Sequence, residues 1–334
     1  MKRNYRFDNI KLILILFVIV AHFFELFKGE ERAYLTIYTF HMPLFIFLTG
    51  IFAKFDKRRL ITYVFTYVVF QILYKLFDFY VLGNGKELSI TFMTPYWLLW
   101  YMLVIIFYTF LIPLIDTKNN IVKLIVIIIS IALSLITPYF KDIGYSLSLA
   151  RFFTFMPYFV CGFYFKDYIE KVEDKLKNKK LYIPLLCGFI TLAIGVCIYM
   201  FKDTTITQNM LYGSYSYETA KYNLGYKVLF MLFAIIFIGA FYLLIPNVKI
   251  PFVSIIGANT ITIFLFHGFI VRYLKYIKFF KYDLNKNILI SIVLALLISI
   301  ILGNKYVSKA LNFIFTGKFI FVIIDKIKGK KKVS

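Results

Sequence analysis

The chain has 334 residues, of which 61% are hydrophobic and only 17% charged. That balance excludes an ordinary soluble domain, where roughly a quarter of residues carry charge. The formal net charge of +22 is scattered over many short segments between apolar runs, which excludes a nucleic-acid-binding face gathered on one domain.

The apolar runs are continuous and lack the two-residue alternation of a transmembrane barrel, so an all-α polytopic membrane bundle is predicted. A helix of about 20 apolar residues crosses a bilayer. Ten such spans are predicted, over residues 10–27, 33–53, 61–82, 96–115, 121–138, 151–166, 181–201, 225–245, 254–274 and 288–304. No small-residue cleavage site follows the first run, which is therefore expected to be a retained helix and not a signal peptide.

The first span reads DNIKLILILFVIVAHFFELF. Lys11 and His22 are separated by eleven positions, which on a helix leaves them about 20° apart in azimuth and roughly 16 Å apart in depth. Asp8 lies three residues before Lys11, and Glu25 lies three after His22, within reach of its ring. A stripe of Asp8, Lys11, His22 and Glu25 on an otherwise apolar helix must face the bundle interior or a wet cavity. The second span contains YTFHMPLFIFLTG. His41 stands just before Pro43, which removes a backbone donor, and Thr49 and Gly50 form a small patch suited to close helix packing. Arg58 and Arg59 follow it as basic anchors at a membrane face.

In PYWLLWY, at the start of the fourth span, Trp97 and Trp100 sit where an aromatic belt is expected. The sixth span opens RFFTFMPYFVCGFYF, and Arg151 at its head is nearly alone among apolar and small residues. The segment from Asp167 to Lys180 is charged and helix-prone, as a solvated loop would be. The longest polar connection, Lys202 to Leu224, holds Tyr212, Tyr215, Tyr217 and Tyr222, which are either interface tyrosines or rings for stacking on sugars. His267 falls in the ninth span. All three histidines of the chain thus lie in membrane spans, and imidazole is the side chain whose ordinary pKa suits proton transfer near neutrality. Cys161, Cys187 and Cys197 lie in apolar runs without metal-ligand spacing, so they read as small buried hydrophobes, with no disulfide and no metal site.

Most basic residues fall on the side that holds the N-terminus if that end is inside, which predicts an N-in, C-in topology; RYLKYIKFFKYDLNKN runs against the bias. A membrane domain over residues 1–308 is followed by a basic tail, 309–334. Lys318 and Asp325 interrupt the tail, and an amphipathic helix on the inner leaflet, held by anionic lipid, is expected there.

Four phrases in this order, DNIKLILILFVIVAH, FHMPLFIFLTG, RFFTFMPYFVCG and NTITIFLFHGFI, resemble the acyltransferase 3 family of membrane O-acyltransferases, and within it the fucose 4-O-acetylase-like branch. The resemblance covers roughly residues 6–300. That family's basic residue, ten residues and histidine fall on Lys11 and His22; Lys11 stands where many members carry Arg, and Thr49 where many carry Ser. The resemblance implies an O-acetyltransferase of the cell membrane. Acetyl would pass from cytosolic acetyl-CoA to a sugar hydroxyl of a cell-surface polysaccharide, such as a capsule or exopolysaccharide, or of its lipid-linked precursor. His22 would then be the base beside Glu25, with His41 and His267 as relays or oxyanion donors. Arg6, Lys11, Arg58 and Arg59 would hold the CoA phosphates, and Arg151, Trp97, Trp100, Tyr215 and Tyr217 would meet the sugar. The extracytoplasmic domain that some relatives carry is missing from this sequence, so the membrane domain is expected to complete the transfer. From another class, a polysaccharide or small-solute transporter would also use ten helices with buried polar groups, although no inverted repeat is visible.

Overall fold

A computed structural model describes residues 4–84 and 87–317, and every regular element in it is helical. The chain is an all-α, multi-pass membrane protein. Its elements are α1 (Tyr5–Phe24), α2 (Glu31–Ile51), α3 (Lys57–Leu76, continued by a π turn Phe77–Val81), α4 (Trp100–Ile115, preceded by a 3-10 turn Trp97–Leu99), α5 (Asn120–Ile136) and α6 (Leu149–Phe165). These are followed by α7 (Ile169–Leu176), α8 (Lys179–Lys202), the single turn α9 (Gln208–Leu211), α10 (Leu224–Leu244), α11 (Pro251–Ala258), α12 (Thr260–Tyr276), α13 (Leu284–Gly303) and α14 (Lys305–Phe315). Helix starts are set by short polar side chains that take up orphan backbone donors. Asn4 accepts from Arg6 N, Asp56 from Arg59 N, Asn223 from Tyr226 N and Asp283 from Lys286 N.

Nine helices among the described residues are long and apolar enough to cross a bilayer, and α11 with α12 makes a tenth span if the bent pair is counted as one. The span read as continuous over 254–274 is in fact broken, with a 72° bend at Asn259. The side-chain amide of Asn259 donates to the Gly303 carbonyl at 2.9 Å, tying the break to the end of α13. Such a break is tolerated at membrane depth only where protein surrounds it. Here α11 crosses α1 backbone to backbone, since a Cβ on Gly257 would lie 1.9 Å from the Asp8 carbonyl oxygen.

The first helix is the hub, packing against α2, α10, α11, α12 and α13. It begins at Tyr5, not at residue 10, so Arg6, Asp8 and Lys11 all project from helical turns. The most extensive crossing is α2 on α6. A Cβ on Gly50 would fall 2.2 Å from the Phe159 carbonyl oxygen, and one on Gly162 would fall 2.0 Å from that of Phe47. Small residues let backbones approach this closely where lipid offers no hydrophobic drive between helices. Gly162→Val is therefore expected to destabilise by about 1–3 kcal/mol or more, the usual cost of overpacking. Gly188→Val is the matched control, because nothing lies within 4 Å of a Cβ placed there. Melting temperatures in detergent should separate the two, and equal values would refute the backbone crossing.

Two expectations are corrected. None of the three cysteines is buried: Cys187 is exposed and Cys161 and Cys197 are half-buried. Helix α8 lies at the rim of the bundle, and lipid accepts the same apolar residues as a core does. The tail does not begin at 309, because α14 runs across that boundary and packs on α3, α12 and α13. Its Ser308 bonds Thr262 at 2.7 Å, and Asn312 donates to Thr262 at 3.0 Å. Lys318 and Asp325 lie outside the described residues.

Candidate active site

Two cavities flank the middle of the bundle. The first, about 290 Å³, lies toward the end where α1 begins and α2 finishes; its polar lining includes the basic Lys11, Lys54 and Arg59 together with Thr49, Tyr63 and Tyr101. The second, about 180 Å³, lies toward the other end, among His22, Tyr38, His41, Trp97, Trp100, Tyr145, Arg151 and Tyr212. Val18, Met42 and Phe264 line both. The two cavities thus share a wall to which α1, α2 and α12 each contribute one apolar side chain.

In the second cavity His22 Nδ1 is 3.2 Å from Glu25 Oε1. The same carboxylate oxygen accepts from the Tyr38 hydroxyl at 2.8 Å. Glu25 follows the last residue of α1. Burial pushes its carboxyl up, but the hydrogen bond and charge attraction of His22, with the hydrogen bond from Tyr38, together hold it below the ordinary carboxylate range. An ionised Glu25 fixes the proton on Nδ1 and leaves the Nε2 lone pair of His22 to act as a base. The His22 ring is 4.7 Å from that of Trp97 and is stacked 5.7 Å from that of His267.

The other two histidines are pinned by their own helices. His41 Nδ1 is 2.8 Å from the Ile37 carbonyl, and His267 Nδ1 is 3.0 Å from that of Ile263. With Nδ1 donating, a neutral His41 offers a lone pair and not a proton at Nε2, which suits a relay better than an oxyanion donor. His267 is fully buried behind His22, outside both linings, and its Nε2 has no partner among the described residues.

The wall opposite α1 is built from strained turns. Leu147 and Ser148, just ahead of α6, both take left-handed conformations (φ 49° and 54°), as does Trp97 (φ 35°). Each costs of order 1–2 kcal/mol. Gln71, fully buried on α3, clamps the chain before Trp97, donating to the carbonyls of Thr91 and Thr94 at 2.6 and 3.1 Å and accepting from Tyr96 N at 2.8 Å. The connection after α8 is tied down by Arg32, which donates to the carbonyls of Asp203 and Thr204 at 2.7 and 3.1 Å. This brings Tyr212 over the cavity, where its hydroxyl meets that of Tyr34 at 2.8 Å. Arg151 lies between the rings of Trp100 and Tyr145, 4.9 and 5.0 Å from their centroids, and its Nε donates to the Tyr212 carbonyl at 3.1 Å.

In the first cavity Lys11 Nζ pairs with Asp8 at 2.9 Å and stands 4.9 Å over the Phe52 ring. Arg59, on the first turn of α3, donates to the Phe52 carbonyl at 3.2 Å. Thr49 meets the Tyr101 hydroxyl at 2.7 Å.

Several expected site residues are placed elsewhere. Arg6 is committed to Glu173 on α7 at 3.0 Å and to the Tyr242 ring at 4.5 Å, away from the cavity. Arg58 is exposed and outside the lining. Tyr217 is buried, packed against Tyr139 and Tyr222, with its hydroxyl on the Leu135 carbonyl at 2.8 Å. Tyr215 stands behind Tyr145 and Tyr212 as a supporting ring. Of the four tyrosines singled out in the Lys202–Leu224 connection, Tyr212 lines the second cavity. Tyr38 and Tyr145 in the second cavity and Tyr63 and Tyr101 in the first were not singled out in the sequence, and of these only Tyr38 carried a local signal, three positions ahead of His41. No group of three or more metal-ligating side chains occurs among the described residues.

The model of one protein family, described as an acyltransferase domain and known as acyltransferase 3, matches residues 4–304. No curated protein and no solved structure matches the chain.

Proposed function

We propose that this chain, which belongs to the acyltransferase 3 family and is a membrane acyltransferase, moves acetyl from acetyl-CoA to a sugar hydroxyl of a cell-surface polysaccharide, capsule or exopolysaccharide, or of its lipid-linked precursor, at the cell membrane. The observation that carries this reading is the wall of Val18, Met42 and Phe264 common to both cavities. A donor entering from the Lys11 end and an acceptor entering from the His22 end can meet there. With the N-terminus inside, the Lys11 end faces the cytosol, where the donor is made. The pantetheine arm then spans the roughly 16 Å between Lys11 and His22.

The step balances with groups of this chain. The acceptor hydroxyl gives its proton to His22 Nε2 as its oxygen attacks the thioester carbon. Glu25 stabilises the imidazolium through Nδ1–H. The tetrahedral oxyanion then collapses, the C–S bond breaks, and the departing thiolate recovers the proton from Nε2.

Lys11 and Arg59 are assigned to donor phosphates, as charge-assisted contacts worth about 1.5–3 kcal/mol each. Arg59→Gln should raise the apparent KM for acetyl-CoA roughly tenfold or more with little change in kcat, whereas Arg58→Gln should do neither. Membranes given labelled acetyl-CoA provide the measurement, read as label entering glycan. Equal KM values for the two variants would remove Arg59 from the donor site. Glycan movement across the membrane without incorporated label would instead support a transporter.

A further inference from the structure

Arg151 is the one feature of the second cavity that a base and a neutral sugar do not explain. It is 8% exposed and lines the cavity directly. Its Nε is satisfied by the Tyr212 carbonyl, but neither Nη nitrogen makes a hydrogen bond, and no carboxylate lies within ion-pair distance, among the described residues. The two flanking rings offer cation–π attraction of about 1–2 kcal/mol. Removing an ion from water costs several kcal/mol. Two rings and one carbonyl therefore leave the charge undercompensated.

Little around it offsets this charge. Glu25, beside the cavity next to His22, is engaged by His22 and Tyr38. The guanidinium is also held rigidly. The left-handed pair Leu147–Ser148 sets the start of α6, and Gly213 (φ 67°) brings the connection against Thr154 and Phe155. Backbone strain gathered around one cationic side chain is what a binding site stores and a packing site relaxes.

We propose that Arg151 is an anion subsite, and that the acceptor carries a carboxylate or phosphate which the two Nη groups grip in a bidentate fork while its hydroxyl lies at His22. The acceptor class is thus an acidic sugar, such as a uronate or a sugar phosphate, and a neutral hexose is disfavoured. This deepens the acetyl-transfer reading and rests on its assignment of the second cavity to the acceptor.

Binding can be read apart from chemistry. The chain has two tryptophans, and both, Trp97 and Trp100, line this cavity. Intrinsic fluorescence of the full chain in lipid nanodiscs, without acetyl-CoA, therefore reports on the site alone. The probes are methyl β-glucuronide, glucose 1-phosphate and methyl β-glucoside. At least one anionic sugar should shift the emission saturably, with an apparent Kd roughly tenfold or more below that of the neutral glycoside, as one charge-assisted pair predicts. The anion that wins tells carboxylate from phosphate. Arg151→Gln should abolish the preference. Arg151→Lys, which keeps the charge and loses the fork, should weaken anion binding at least threefold and leave the neutral glycoside unchanged. A neutral glycoside binding as tightly as both anions overturns the proposal, as does a preference that survives in both variants. Anion binding without label transfer would sink the acetyl-transfer reading and leave this one standing.

Discussion

His22→Ala is expected to abolish acetyl incorporation, a fall of roughly 10²–10⁴-fold for loss of a positioned base, while donor and acceptor still bind. The reason is geometric. No other described side chain in the second cavity combines a free basic nitrogen with a carboxylate partner: His41 gives its Nδ1 to the Ile37 carbonyl, and His267 lies behind the lining. Glu25→Gln should cost less, because a glutamine oxygen can still accept from Nδ1 but no longer stabilises the imidazolium. Labelled transfer in membranes, with tryptophan fluorescence for binding, measures both. Incorporation by His22→Ala within tenfold of the parent would remove His22 from the chemistry.

Val18→Phe is expected to lower transfer by more than about 100-fold, the loss that follows when reacting groups are held out of contact. Val18 is 3% exposed on α1 and lines both cavities with Met42 and Phe264. On the proposed reading, a ring there fills the wall across which a thioester arriving past Lys11 would reach a hydroxyl held near His22. Because overpacking costs about 1–3 kcal/mol, the variant must first be shown to melt as a folded protein and to retain acetyl-CoA binding at the Lys11 end. Val18→Ala acts in the opposite sense. It widens the gap, keeps acetyl transfer, and should raise the ratio of propionyl to acetyl transfer. Parent-like transfer by a folded Val18→Phe would show that donor and acceptor do not meet across this wall.

Much of the framework was legible in the chain. Apolar runs of membrane length give their own helices, since hydrocarbon leaves a backbone no other way to satisfy its polar groups. The same cost makes a polar stripe conspicuous, which is why His22, Glu25, His41 and Arg151 stood out before any contact was known. The close crossing at Gly50 was readable for a related reason: a small residue in a membrane helix has packing as its main use.

The structure places other residues away from the cavities, because sequence carries no information about the direction in which a side chain turns. Arg6 and Lys11 are five residues apart on one helix, yet Arg6 turns to Glu173 and Tyr242 while Lys11 faces the cavity. Tyr212 and Tyr217 sit in one connection, and only the first reaches the site. Cys187 read as buried and faces outward, because lipid and core select the same residues.

The sequence by itself determined a helical membrane bundle, the depth of its polar residues and, through the Lys11-to-His22 spacing, a line running across the bilayer. Those follow from hydropathy and helical pitch, which are local. Only the tertiary structure decided that α1, α2 and α12 turn Val18, Met42 and Phe264 to a wall shared by two cavities, that α12 is broken from α11, and that Arg151 enters the second cavity with no ion-pair partner among the described residues. Each of these depends on which helix packs beside which, and in a membrane that choice is made by backbone approach and side-chain shape, with no amphipathic pattern to announce it.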